Sequence, residues 1–156
     1  MNQLRRAFLK NAGTVGAVAA AIATGLLNPG TVLAAAWNSL AFTTKDLGEA
    51  MKNAGYDGAI ESSDIVIKAP EIAENGAVVP VSATSNIAGT TSMAIFIDKN
   101  PVPMIADFQF LNGAEPYIAT RVKMAKTSLV RVTVKAGGKN YIASREVKVT
   151  IGGCGG

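Results

Sequence analysis

Toward its C-terminus the chain alternates apolar and polar residues. Val130, Val132 and Val134 are separated by Arg131, Thr133 and Lys135; Val147, Val149 and Ile151 are preceded by Glu146, Lys148 and Thr150. A period of two puts one face of a strand against a core and the other in water. Gly137 and Gly138 lie between the two runs, so strands over 128–135 and 141–151 read as an antiparallel hairpin. Further strand-like runs occupy 64–68, 77–84, 92–98, 105–110 and 117–123. Turn formers punctuate them: Glu74-Asn75-Gly76, Lys99-Asn100-Pro101 and Asn112-Gly113. Seven short strands joined by tight turns predict a mainly β fold, an immunoglobulin-like antiparallel sandwich. No Cys–Trp–Cys core is present, so the prediction concerns architecture and not kinship.

The period changes over 43–55. Leu47, Ala50, Met51 and Ala54 share a face at helical spacing, a threonine stands at the start, and Gly55 closes the run. One short N-terminal helix is expected there, its apolar face packed on the sheet.

The first 36 residues follow another logic. Arg5, Arg6, Phe8, Leu9 and Lys10 form a basic start, and a mild alanine-rich run follows from Ala12 to Leu27. Asn28-Pro29-Gly30 breaks it, and Ala34-Ala35-Ala36 offers a small-residue cleavage site. Arg5-Arg6-x-Phe8-Leu9-Lys10 resembles the twin-arginine export motif, with Leu4 where serine or threonine is usual. The run is weaker than the ~20 apolar residues of a spanning helix. Residues 1–36 therefore read as a signal peptide, 37–151 as the β domain and 152–156 as a separate tail. Export in the folded state places the protein in the periplasm, with no membrane attachment once the signal is removed. The twin-arginine route carries folded proteins with a bound cofactor or partner, and no residue set here suits a cofactor.

Charge changes meaning once the leader is set aside. The whole chain is +4, but removing Arg5, Arg6 and Lys10 from 15 basic residues leaves 12 against 11 acidic ones. No dense basic patch remains for nucleic acid. The chain holds no histidine, which excludes Ser-His-Asp and Cys-His catalysis and imidazole metal or haem ligation. It holds one cysteine, Cys154, which excludes an intrachain disulfide and thiolate metal clusters.

Cys154 stands in Gly152-Gly153-Cys154-Gly155-Gly156, so four of the chain's 16 glycines surround the single thiol. Such a tail cannot bury the cysteine in a core, and its glycines leave the sulfur uncovered. From its root to Cys154 the tail spans roughly 10 Å at about 3.3–3.6 Å per residue. A thiol with no neighbouring base keeps a pKa of about 8.5 and is only a few per cent thiolate at neutral pH. The tail thus reads as a flexible arm that offers a sulfur to other proteins, rooted on a strand. Lys148 reads as a solvated strand residue before it reads as an attractor of an anionic adduct. The Glu74-Asn75-Gly76 and Asn100-Pro101 segments read as turns without chemistry. A thiol oxidoreductase would want a resolving cysteine. A structural module joined through an intermolecular disulfide at Cys154 is the alternative function.

The leader, the small β domain and the Gly-Gly-Cys-Gly-Gly ending together resemble the SoxY family, sulfur-substrate carriers of the Sox thiosulfate-oxidation system. Ala69-Pro70, Ala73-Glu74-Asn75-Gly76, Val79-Pro80-Val81, Asn100-Pro101 and Val147-Lys148-Val149-Thr150 add to the resemblance. It implies a carrier without catalysis or cofactor of its own, with Cys154 as the covalent attachment site. Gly152, Gly153, Gly155 and Gly156 would form the swinging arm, and Arg5, Arg6, Phe8, Leu9 and Lys10 the signal motif. It implies a heterodimer with a SoxZ-like β-sandwich subunit. A haem cytochrome would load thiosulfate as a thiosulfonate, and a hydrolase would release sulfate and leave a persulfide. Where present, a molybdenum sulfane dehydrogenase would oxidise that sulfur further.

Overall fold

Two side-chain caps start the described part of the chain, residues 38–151 in the computed structural model. The Asn38 side chain accepts from the Ala41 N–H at 3.2 Å and opens α1 (Ser39–Thr43). Asp46 Oδ1 accepts from the Glu49 N–H at 2.8 Å and opens α2 (Leu47–Asn53). The helix expected over 43–55 is α2, whose cap is Asp46 rather than a threonine, and α1 is an additional turn of helix before it. The reason is local. The hydroxyls of Thr43 and Thr44 donate back to the carbonyls of Ser39 (2.8 Å) and Leu40 (2.6 Å), so they close α1 and are not free to cap α2. Gly55 ends α2 as expected, at φ +73°, where an added Cβ would also lie 3.0 Å from Lys135 Nζ.

Nine strands follow: β1 (Ile60–Glu61), β2 (Ile65–Lys68), β3 (Ile72–Ala73), β4 (Val79–Ser85), β5 (Thr90–Ile97), β6 (Met104–Gln109), β7 (Tyr117–Val122), β8 (Ser128–Ala136) and β9 (Lys139–Val149). The larger sheet has the order β1-β9-β8-β5-β6, with β3 also on β9; the smaller is β2-β4-β7. The seven expected strands are all present. The two additions, β1 and β3, are two residues each and pair parallel with the same edge of β9. The chain leaves that edge after β1, runs through β2 in the other sheet, and returns as β3, so the larger sheet is not wholly antiparallel.

The hairpin forms in the register the alternation demands, from Ser128↔Val147 to Ala136↔Lys139. Gly137 (φ +56°) and Gly138 (φ +73°) supply its two-residue turn, a backbone shape that suits strand twist and that L side chains resist. Between the sheets lie Val79, Val81, Met93, Ile95, Ile97, Val130, Val132, Val134 and Val147, all fully buried.

Strand β5 is buried on both faces. Met93, Ile95 and Ile97 face the sandwich core, while Ala94 and Phe96 pack with Met104, Tyr56 and the α1–α2 residues Ala41, Ala50 and Ala54. The unbroken run Met93–Ile97 is thus the signature of a strand covered twice. The helices seal the outer face of the larger sheet, as the Leu47/Ala50/Met51/Ala54 stripe predicts.

Candidate functional site: the root of the cysteine arm

The ladder of β9 stops at Val149, two residues before the end expected from alternation. Thr150 and Ile151 are nevertheless held. The Thr150 N–H donates to the Ala73 carbonyl at 3.1 Å, and the Gly76 N–H donates to the Ile151 carbonyl at 2.7 Å. Thr150 Oγ1 donates to the Glu74 carbonyl at 2.9 Å. On the other side, the Val149 N–H donates to Thr127 Oγ1 at 2.9 Å. The Gly76 carbonyl accepts from the Met124 N–H at 2.7 Å, and Asn75 Oδ1 accepts from the Ala77 N–H at 2.8 Å.

The segment Glu74-Asn75-Gly76, expected to be a plain turn, is therefore the clamp that fixes the last described residue. Gly76 is itself buried. Asn100 acts similarly on the β7–β8 connection: its amide donates to the Lys123 carbonyl at 2.7 Å and its Oδ1 accepts from the Ala125 N–H at 2.9 Å. The side chain of Ile151 is exposed, pointing into solvent from a fixed backbone. The expected site residues Cys154, Gly152, Gly153, Gly155 and Gly156 lie outside the described residues, as do Arg5, Arg6, Phe8, Leu9 and Lys10.

The chemistry around the root is sparse. Lys148 is exposed and lines a surface recess of about 310 Å³ with Arg145, Glu71 and Glu146. Two cations face two carboxylates there, so the recess gives an anion no net pull. Lys148 is the solvated strand residue of the first reading. Among the described residues no group of three or more acidic, histidine or cysteine side chains could hold a metal ion. No described helix is long and apolar enough to cross a membrane.

One polar cluster does stand out, and it serves the fold. The Tyr56 hydroxyl lies 2.8 Å from Asp107 Oδ1 and 2.9 Å from Ser92 Oγ. One phenolic proton serves one acceptor, so Tyr56 donates to the carboxylate and accepts from Ser92. Lys135 Nζ sits 4.2 Å from the Tyr56 ring centroid and donates to the Ala54 carbonyl at 2.9 Å. Burial pushes the Tyr56 pKa far above the ordinary phenol value, and burial also raises Asp107. A fully buried phenol that never ionises is a strut, tying the end of α2 to β5, β6 and β8. Tyr56→Phe is expected to cost about 1–3 kcal/mol by leaving the buried Ser92 hydroxyl short of a partner. Urea unfolding of the variant would read this; an unchanged midpoint would show that the strut bears no load.

Known proteins with similar sequence or shape extend the picture. The family model described as sulfur oxidation protein SoxY matches residues 51–154, a stretch that runs to Cys154. The solved structure of the sulfur carrier protein SoxY from Chlorobium limicola f thiosulfatophilum is 50% identical, with a TM-score of 0.57 over 63% of this chain and 91% of that one. A structure of the bacterial superantigen toxic shock syndrome toxin-1 aligns at 15% identity and a TM-score of 0.38, over 55% of this chain and 98% of that one. That likeness is too slight to bear on function. No curated protein sequence matches the chain.

Proposed function

Because the chain belongs to the SoxY family of sulfur-oxidation proteins, we propose that it carries sulfur intermediates covalently on Cys154 and presents them to partner enzymes. The match with the SoxY sulfur carrier at 50% identity carries this reading, together with a matched stretch that includes the chain's single cysteine.

The residues fit the role in three ways. Cys154 has glycine on both sides, so the sulfur has no steric cover and the arm is slender enough for a narrow active site. No histidine exists to activate the thiol, so activation falls to the partners. The clamp made by Glu74, Gly76 and Thr127 holds Val149 to Ile151, which fits an arm rooted on a fixed point.

Loading is an oxidation. The thiol and thiosulfate join through a new S–S bond, releasing one proton and two electrons, and a haem cytochrome partner takes the electrons. Hydrolysis then breaks the bond between the terminal sulfonate and its neighbouring sulfur. Water supplies the oxygen, sulfate leaves, and a persulfide stays on Cys154. A sulfane dehydrogenase would oxidise that sulfur further. The chain itself binds no cofactor and performs no step.

Residues 1–36 act as a twin-arginine signal through Arg5 and Arg6, residues 37–151 form the carrier domain, and 152–156 form the arm. The working compartment is the periplasm, and the carrier pairs there with a SoxZ-like β-sandwich subunit. The test is alkylation of Cys154 in protein taken from cells oxidising thiosulfate. Two fractions are expected: one that resists alkylation until reduced, the thiosulfonate, and one whose label is carried through an extra sulfur and is lost on reduction, the persulfide. Label held on the cysteine sulfur alone, stable to reduction in all molecules, would contradict the role.

A further inference from the structure

Along the edge away from β8, strand β9 is paired only near its two ends. There β1 takes Tyr141 and Ile142, and β3 takes Lys148 and Val149. Between them the chain dips through β2 in the smaller sheet. The Ile142 carbonyl accepts from the Ser62 N–H at 3.0 Å, and the Lys148 N–H donates to the Glu71 carbonyl at 2.9 Å. Even-numbered residues of β9 therefore turn their peptide groups to this edge, and odd-numbered ones turn theirs to β8. The N–H and C=O groups of Ser144 and Glu146 point out of the gap, where no described strand pairs with them. Arg145 stands between these two residues. It lies opposite the buried Val130, and its Nε is buried with no hydrogen-bond partner among the described residues. Two recesses open on the gap. One, of about 310 Å³, lies beside Glu71, Arg145, Glu146 and Lys148; the other, of about 360 Å³, lies beside Glu61, Ser62 and Ser144.

We propose that this interrupted edge is a docking slot for an extended loop of a partner enzyme, which adds a short strand between β1 and β3. The proposal rests on the reading of this chain as a carrier served by enzymes. The unsatisfied groups select the occupant. They are peptide donors and acceptors and one guanidinium N–H, and another peptide backbone pairs with all of them. A small anion gains nothing here, because two cations face two carboxylates in the recess beside Arg145. A second copy cannot add its own β9, a strand of 11 residues, to so short a gap. Between Ser62 and Glu71 the edge has room for about three extended residues, at about 3.4 Å each. The chain's own arm starts from Ile151, with β3 standing between it and the slot.

The position ties the slot to the arm. Strand β3 closes one end of the slot, and its Ala73 carbonyl holds the Thr150 N–H at the root. An enzyme loop seated there rests on the same element that clamps the arm, so docking and delivery share one reference point. A contact of about three residues is weak by itself, and a weak contact lets the carrier leave after each transfer.

The test uses the mature carrier with its second subunit in place, and the sulfate-releasing hydrolase as probe. Amide hydrogen exchange in the carrier alone should be fast at Ser144 and Glu146 and slow at Ala143, Arg145 and Val147, which pair with β8. Excess hydrolase should slow the two edge amides at least ~10-fold. Arg145→Met, and separately Ser144→Pro, should raise KM for the loaded carrier at least ~10-fold with kcat little changed, because the contact is remote from the sulfur. Proline is tolerated where its missing N–H faces an open edge. Removing an arginine whose buried Nε is unpaired should leave the melting temperature at or above that of wild type, whereas a structural role would lower it. Lys139→Glu, at the β8–β9 turn, should behave as wild type does. Both edge amides already slow before hydrolase is added would assign the edge to the second subunit and overturn the proposal. Unchanged exchange on adding hydrolase overturns it too, as does wild-type KM in both variants. If Ser144→Pro fails to fold, Arg145→Met and the wild-type exchange decide. Exchange is read on unloaded carrier, so slowing at Ser144 and Glu146 supports the slot even if no sulfur is found on Cys154.

Discussion

Cys154→Ser is expected to abolish thiosulfate-dependent sulfate release by the reconstituted system while leaving the fold untouched. The argument follows from the count of sulfur nucleophiles. The chain has one cysteine, and the proposed route passes every intermediate through an S–S bond to it. Serine preserves size and exposure but cannot form that bond. The core is unaffected, because the inter-sheet cluster is built from Val79, Ile95, Val132, Val147 and their neighbours, none in the last five residues. Loss should therefore be complete in turnover and absent in thermal melting. Residual sulfate release above the level seen without the carrier would mean that another group accepts the cargo.

The second large effect is expected from Gly153→Phe. This substitution leaves the thiol in place and changes only the profile of the arm and its backbone freedom. If partners receive the sulfur in narrow sites, a phenyl ring one residue from Cys154 should lower kcat/KM for each of them by about a hundredfold, the cost of a small misplacement of reacting atoms. Chemical reactivity of the free thiol toward a small alkylating reagent should stay the same. That contrast separates delivery from reactivity. Equal kcat/KM for variant and wild type would show that the glycines are not needed for access.

Much of this could be read from the residues, for a physical reason. Period-two valines at 130–134 and the Gly137-Gly138 turn carry their structure locally, so β8 and β9 are visible without a fold. The apolar stripe of α2 announced its packing on the sheet. What escaped is what depends on distant partners. Strands β1 and β3 have two residues each, too few for any period, and exist because the edge of β9 accepts them. Helix α1 is five residues long, and its one local signal is the Asn38 cap. The helix cap was misplaced because Thr43 and Thr44 look like caps until their hydroxyls are seen turning back to α1.

The site divides in the same way. A lone thiol among glycines reads as an arm, and those residues lie outside the described part of the chain. The clamp could not be read in this way, since Gly76, Thr127 and Ile151 lie far apart in sequence and meet only after the two sheets assemble. An Asn-Gly pair at 75–76 predicted a turn, and nothing in the pair itself points to the carbonyl it would hold.

The central claim is that Cys154 bears sulfur as cargo, and intact mass of the protein from thiosulfate-oxidising cells tests it most directly. The account predicts a population carrying reductant-labile thiosulfonate and persulfide additions, all on the terminal tryptic peptide from Val149 onward. A protein found only as the unmodified thiol, or as a disulfide-linked homodimer without such additions, would contradict it.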